Sequence, residues 1–240
     1  MKNKESNVKN SLTVKVTAAN IYKRNLLIRT TLIAITVLML VFSVTYGFVY
    51  VTSQTGYFTI ELDPNLKAKN GMVISSDSTF KNTPLILKID ALPYMDNISE
   101  RWIPEDVDEI EGPHSQDNYL AYTFFIRNNG EESMEYVTEI NIISVVKNVD
   151  DAIRVAVYKN GEKTVYAKRN KVTQLPEANT TPFTSNTQVM SVNQPALKPE
   201  AVDKYTIVVW LEGDDPECID DIMGGEMKMK MMITEVQKGD

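Results

Sequence analysis

From Thr30 to Thr52 the chain reads TTLIAITVLMLVFSVTYGFVYVT, with no ionisable side chain other than Tyr46 and Tyr50. A helix rises about 1.5 Å per residue, so about 20 such residues cross the ~30 Å hydrocarbon core of a bilayer. The apolar region of a secretory signal needs only about 7–15. Length therefore favours an anchor that stays. Thr45-Tyr46-Gly47 and Val51-Thr52-Ser53 put tolerated residues at cleavage positions without forming an A-x-A site. Leu32 to Val44 is apolar, Thr or Ser throughout, so the run has no polar face and does not read as the core helix of a soluble domain.

Charge sets the expected orientation. Before the run, Lys2, Lys4, Lys9, Lys15, Lys23, Arg24 and Arg29 stand against Glu5 alone. Cations on one flank, with Tyr46 and Tyr50 at the other interface, place the N-terminus in the cytoplasm and the bulk of the chain outside. The head's net +6, set against a formal −7 for the whole chain, leaves −13 beyond it. So acidic a balance excludes nucleic acid, whose affinity comes mainly from Lys and Arg on phosphates. The single Cys218 cannot form an internal disulfide, and the single His114 cannot supply the imidazoles of a zinc-protease site.

Beyond the membrane run the period becomes two. Tyr119 to Arg127 sets Leu120, Tyr122, Phe124 and Ile126 on one face, and Tyr205 to Glu212 repeats this with Tyr205, Ile207, Val209 and Leu211. Both read as half-buried strands. In Glu226 to Val236, Met227, Met229, Met231 and Ile233 fall on one face, with Lys228 and Lys230 on the other. A methionine row can suggest copper, but this alternation reads as a strand with one buried face. Asn160-Gly161 and Asn129-Gly130 are hairpin signals, because Asn-Gly supplies the positive φ of a tight turn. Short strands are expected at Tyr57–Leu62, Met72–Ser75, Leu85–Asp90 and Gln188–Val192. Two polar stretches, Asp96 to Asn118 and Val172 to Pro199, are long enough to be a functional rim or an edge cover. Trp102 in the first reads as a plug docked on the sandwich. His114 reads as an exposed loop residue.

The expected organisation is a basic cytoplasmic tail at 1–29, a transmembrane signal-anchor helix at 30–52, a linker at 53–56, an extracellular domain at 57–236 and a tail at 237–240. The domain is mainly β, an antiparallel β-sandwich of jelly-roll or immunoglobulin-like type.

The acidic runs are the candidate sites. Asp214, Asp215, Glu217, Asp220 and Asp221 offer a weak calcium site, since calcium takes six to eight oxygens and crowded carboxylates can supply several. Asp106, Asp108, Glu109 and Glu111 form a second cluster, without EF-hand spacing. A solvated acidic loop accounts for either run equally well. Cys218 sits among carboxylates that disfavour its thiolate, so it does not read as a nucleophile.

The ordered segments GYFTIELDPN, YLAYTFFIRNNGEE, AIRVAVYKNGEK, LKPEAVDKYTIVVWLEGDDPEC and GGEMKMKM, behind a basic head and one apolar run, resemble exported surface proteins of Gram-positive bacteria of the TasA/camelysin type, handled by the SipW-type signal peptidase. The most specific stretch is Tyr205 to Cys218, with Trp210, Glu212, Gly213, Asp215, Pro216 and Cys218. The resemblance implies a jelly-roll-like sandwich at the cell surface or in a biofilm matrix and, in TasA itself, polymerisation by exchange of an N-terminal strand. Camelysin's metalloprotease activity does not carry over, because the chain has no HExxH. The expected function is an envelope or matrix component working through protein contacts. Its partners would be membrane lipid through 30–52 and other surface proteins or copies of itself, with no catalytic residues. A calcium- or small-ligand-binding surface module is the alternative, and a surface hydrolase stands third.

Overall fold

The apolar run lies inside one long helix. The computed structural model describes residues 2–53, 58–90, 92 and 94–236, and α1 spans Lys2–Ser53. Its stretch Ile21–Gly47 has a mean hydropathy of 2.2 and carries its apolar side chains exposed. The hydroxyls of Thr30, Thr36 and Thr45 donate to carbonyls three or four residues earlier at 2.9–3.1 Å. That bonding satisfies a Thr in apolar surroundings. The expected tail at 1–29 is thus helical from Lys2 onward. Of the expected linker, Ser53 belongs to the helix; 54–56, Tyr57 and the tail at 237–240 lie outside the described residues.

The second unit, 55–240, is built of two sheets. Strands β1 (Phe58–Leu62), β3 (Ile86–Ile89), β6 (Met134–Val146), β10 (Gln188–Leu197) and β12 (Glu226–Glu235) form a five-stranded sheet in the order β10-β6-β12-β1-β3. Strands β2 (Met72–Ser75), β5 (Tyr119–Asn128), β7 (Ile153–Lys159), β8 (Glu162–Ala167), β9 (Thr181–Pro182) and β11 (Val202–Leu211) form the other, in the order β2-β5-β11-β7-β8-β9, with β4 (Gly112–Pro113) on β5. The main core lies between them and holds the inward residues of both, including Met227, Met229 and Met231, all buried. The methionine row is therefore a core face, as its alternation implies.

The pairing is mixed rather than purely antiparallel. β1 runs parallel to β12, with Phe58 opposite Met229 and Leu62 opposite Ile233, and β8 runs parallel to β9. Period-two alternation fixes which face a residue takes but says nothing about a strand's partner or direction. Between β1 and β2 the chain inserts a short helix, α2 (Pro64–Asn70). Asp63 accepts from the Asn65 amide at 2.8 Å, Pro64 opens the helix, and Gly71 ends it at φ +70°.

Asn160-Gly161 closes the β7–β8 hairpin with φ of +51° and +89°. Asn129-Gly130 does not close a hairpin, because β5 and β6 belong to different sheets. Buried Asn128 organises the crossover instead, donating to the carbonyls of Glu132 and Leu197 at 2.8 Å and accepting from Gly130 N at 2.8 Å. Gly130 is needed for close approach, since a Cβ there would lie 2.2 Å from the Asn70 carbonyl oxygen.

β5 and β11 are buried on both faces rather than half-buried. Tyr119, Ala121, Val208 and Trp210 turn away from the main core into a second cluster with Ile98, Ile103 and Val107. The stretch from Asp96 to Asn118 supplies those last three and so covers the outer face of the seven-stranded sheet. Trp102 is not the plug: it is 74% exposed, while Ile103 and Val107 beside it dock.

At the far end a polar chain bridges the two sheets. The Tyr136 hydroxyl on β6 donates to Asp203 Oδ2 on β11 at 2.5 Å and lies 3.0 Å from the Tyr205 hydroxyl. Asn160 Nδ2 donates to Asp203 Oδ1 at 2.7 Å. Lys159 Nζ lies 3.3 Å from Asp203 and donates to Gln194 Oε1 at 2.7 Å, and Gln194 donates to Thr138 at 2.9 Å. Burial holds both tyrosine hydroxyls well above the usual phenol range. Replacing Tyr136 by Phe removes a buried donor from Asp203, so Tyr136→Phe should lower unfolding free energy by about 1–3 kcal/mol, read from the denaturant midpoint.

Candidate functional site

Where the β11–β12 loop meets the segments 99–105 and 177–180, a cleft of about 590 Å³ opens on the outer face of the seven-stranded sheet. Its walls carry Arg101, Arg154 and Lys163 against Glu100, Glu105, Glu177, Glu212, Asp214 and Asp215. Carboxylates outnumber cations two to one, so the cleft suits a cation or a ligand rich in donors.

Arg154 anchors the floor. Its place is set by β7, where Ile153, Val155 and Val157 point into the main core and the intervening residues face outward. The Arg154 guanidinium is buried, forms an ion pair with the fully buried carboxylate of Asp215, and lies 3.9 Å from Glu177 Oε2. Asp215 Oδ1 in turn accepts from Glu217 N at 2.8 Å, and Glu217 Oε1 accepts from Lys171 N at 3.0 Å. Oxygens of Glu177, Asp215 and Glu217 lie within 4.8 Å of one another. Glu177 Oε1 and Glu217 Oε2 are buried atoms without a hydrogen-bond partner. Partial burial, together with the neighbouring carboxylates of Asp215 and Glu177, raises the Glu217 carboxyl above its usual range.

The five sequence candidates thus part company. Asp215 and Glu217 come together with Glu177. Asp214 is exposed, accepts from Ser99 Oγ at 2.7 Å and pairs with Arg101 at 3.3 Å, and these hydrogen bonds hold its carboxyl below the usual range. Asp220 and Asp221 are exposed on a short 3₁₀ turn, Asp220–Ile222. In the second acidic run, Asp108 lies 3.6 Å from Lys204 and Glu111 accepts from Ser78 N at 3.2 Å, so these residues tie loops down separately.

Glu177 and Arg154 are the residues missed by sequence reading. Glu177 lies some forty positions from its partners in a stretch that reads as loop. Arg154 did leave a signal, as a charge set within the apolar run Ile153 to Tyr158. Cys218 has a raised thiol, first from burial and then from Asp215 and Glu212, which fits an unreactive role. His114 is half-buried, each ring nitrogen 2.8 Å from a backbone carbonyl, Gly112 and Val107, so it ties the cover down rather than standing free.

No protein-family model matches the chain, and no curated protein is similar to it in sequence. Among solved structures it is similar to β-glucosidase from Kluyveromyces marxianus in complex with glucose, at 12% identity and a TM-score of 0.27, over 73% of this chain and 18% of that one. The selenomethionine-labelled form of the same enzyme gives 12% identity and a TM-score of 0.25, over 67% and 17%. The chain spans less than a fifth of those enzymes, and at such scores the likeness assigns neither fold nor activity.

Three carboxylates beside one guanidinium leave negative charge that a proton or a hard cation can neutralise. A raised Glu217 binds its proton more tightly folded than unfolded. Stability should therefore increase as pH falls from the raised value toward the ordinary carboxyl range near 4.5, and the penalty should be complete above that window. Glu217→Gln should flatten this slope and raise the melting temperature near neutral pH relative to the parent. Thermal unfolding across that window checks both.

Proposed function

We propose that this chain is anchored in a cell membrane by its N-terminal helix, with residues 1–29 on the cytoplasmic side, and that its outer β-sandwich works by protein contact as a structural or assembly component of the envelope or extracellular matrix. The observation that carries the reading is the unburied apolar stretch Ile21–Gly47 leading directly into a β domain. The cations ahead of the apolar run support the orientation. Open sheet edges support the contacts: among the described residues β3 has β1 as its one strand partner, and beyond Val189 β10 has β6 as its one strand partner, so each offers unpaired backbone groups to an added strand. Exposed Leu85 and Ile86 lie at the β3 edge. The resemblance to TasA-type proteins supports copies of itself as partners, β1 being the N-terminal strand of the sandwich.

A second reading follows from the cluster of Glu177, Asp215 and Glu217, whose two unpartnered oxygens suit a calcium ion. It makes the sandwich a cation-dependent binding module, with a dissociation constant of about 10⁻⁴–10⁻³ M like other extracellular modules.

Light scattering and sedimentation of purified residues 54–240, with and without calcium, separate the readings. Assembly predicts species larger than a monomer that diminish in Ile86→Glu, a change at an exposed edge. A monomer at every concentration overturns the assembly reading. The binding module predicts calorimetric heat on calcium addition that disappears in Glu177→Gln/Glu217→Gln; no heat in the parent overturns it.

A further inference from the structure

One end of the sandwich carries a group of exposed apolar side chains that the function above does not use. Val172 is 87% exposed, Leu175 63%, Ile219 55% and Met223 64%. They sit on two loops, 168–180 and 212–225, held side by side. Lys171 N donates to Glu217 Oε1 at 3.0 Å, and Lys168 and Lys171 lie 2.9 and 3.8 Å from Asp151. The 3₁₀ turn bearing Asp151, Val149–Asp151, joins β6 to β7 at this same end, and Lys147 just before it donates to the Met223 carbonyl. Four large apolar side chains thus stand exposed on loops at one end of the sandwich.

The strand register says which end this is. β12 begins at Glu226, opposite Val146 at the end of β6, and β7 begins at Ile153, opposite Leu211 at the end of β11. Because β1 is parallel to β12 and Phe58 faces Met229, β1 also begins here. The chain that leaves α1 at Ser53 therefore enters the sandwich at the end bearing Val172, Leu175, Ile219 and Met223. Five residue steps separate Ser53 from Phe58, and an extended chain covers at most about 3.6 Å per residue, or about 18 Å.

We infer that this end of the sandwich rests on the lipid surface of the membrane its own helix crosses, with Val172, Leu175, Ile219 and Met223 entering the interface. The inference rests on the anchor reading above. So short a tether holds this end of the sandwich within reach of the bilayer, which raises the effective concentration of the tips there. The tips are separate projections on two loops, which suits the soft headgroup boundary better than the flat packed face of a stable dimer. Exposed Lys147, Arg169 and Lys171 stand among them and can reach lipid phosphates. Exposed Asp220, Asp221 and Glu226 share this end, so the contact is chiefly apolar and should depend little on salt.

Depth-dependent quenching tests it. The full chain, carrying Cys218→Ser, is placed in vesicles of phosphatidylcholine with a minority of phosphatidylglycerol and spin-labelled lipid. An environment-sensitive fluorophore is attached at Val172→Cys, Ile219→Cys, Glu162→Cys at the opposite end, or Leu38→Cys in the helix. Quenching several-fold stronger at 172 and 219 than at 162, and unchanged in high salt, is the expected result. Val172→Asp should weaken quenching at 219. Equal quenching at 172 and 162 with strong quenching at 38 overturns the inference and leaves the anchor standing. Energy transfer between labels at 172 without lipid quenching means a second copy covers this end and also overturns it. Loss of quenching at 38 removes the anchor reading and this inference with it.

Discussion

Strand β11 is buried on both faces, and much of the outer domain follows from that constraint. Tyr205, Ile207 and Val209 enter the main core, while Val208 and Trp210 face the other way. A tryptophan brings roughly 150–250 Å² of surface and an indole N–H that must find an acceptor. The chain meets both demands locally. Ile98, Ile103 and Val107 cover the outer cluster, and Glu212 accepts from Trp210 Nε1 at 2.9 Å. The covering segment is pinned by Ile98 N to Leu211 O and by Gly213 N to Ile98 O, each at 2.9 Å, and by Glu100 N to Glu212 at 3.2 Å. A long polar stretch between strands thus becomes a fixed layer rather than a free rim.

The same layer forms one wall of the acidic cleft. Glu212 serves both sides, holding Trp210 and the covering segment while lining the cleft. Below it, the Arg154–Asp215 pair is a commitment of the fold. Burying two charges costs several kcal/mol per ion before their attraction is counted. Losing Asp215 would leave the guanidinium with Glu177 at 3.9 Å as its remaining carboxylate. Asp215 is therefore the structural member of the cluster. Adaptable chemistry falls to Glu177 and Glu217, each with an oxygen lacking a partner. A proton on Glu217 and a cation between the two would compete for the same vacancy in charge.

Elements whose signal is local were readable in advance. The methionine row and the Asn160-Gly161 turn depend on alternation and on a φ requirement within a few residues, and the strand at Met72–Ser75 is a short apolar run buried at every position. α2 was missed, because the stretch that Asp63-Pro64 and Gly71 bound is too short to show a helical period. What alternation cannot encode is the partner. Asn129-Gly130 has the composition of a hairpin, yet the side chain of Asn128 and the close approach of Asn70 turn it into a crossover between sheets. Trp102 looked like the natural plug by size, but a turn at Ser99 and Glu100 directs Ile103 and Val107 inward and leaves the indole outside. The cleft was half legible: Asp215 and Glu217 lie in one visible acidic run, whereas Glu177 joins them only because β8 and β9 return the chain to the same end.

The parallel pairing of β1 with β12 places the first strand of the sandwich beside its last. β1 is flanked on its other side by β3, so four of its five residues take part in two ladders, Phe58 to Leu62 pairing with β12 and Phe58 to Glu61 with β3. Phe58, Ile60 and Leu62 also enter the core. If the helix ahead of β1 is held in a membrane, a pull on the sandwich is delivered along β1 from its N-terminal end. The bonds to antiparallel β3 run perpendicular to the strand axis and those to parallel β12 run slanted across it, so such a load acts on both ladders together and must also draw three buried side chains past their neighbours. A hairpin peeled from its open end would instead give way one bond at a time. Under that condition the interior place of β1 in the sheet makes the loaded strand harder to draw out than an edge strand would be.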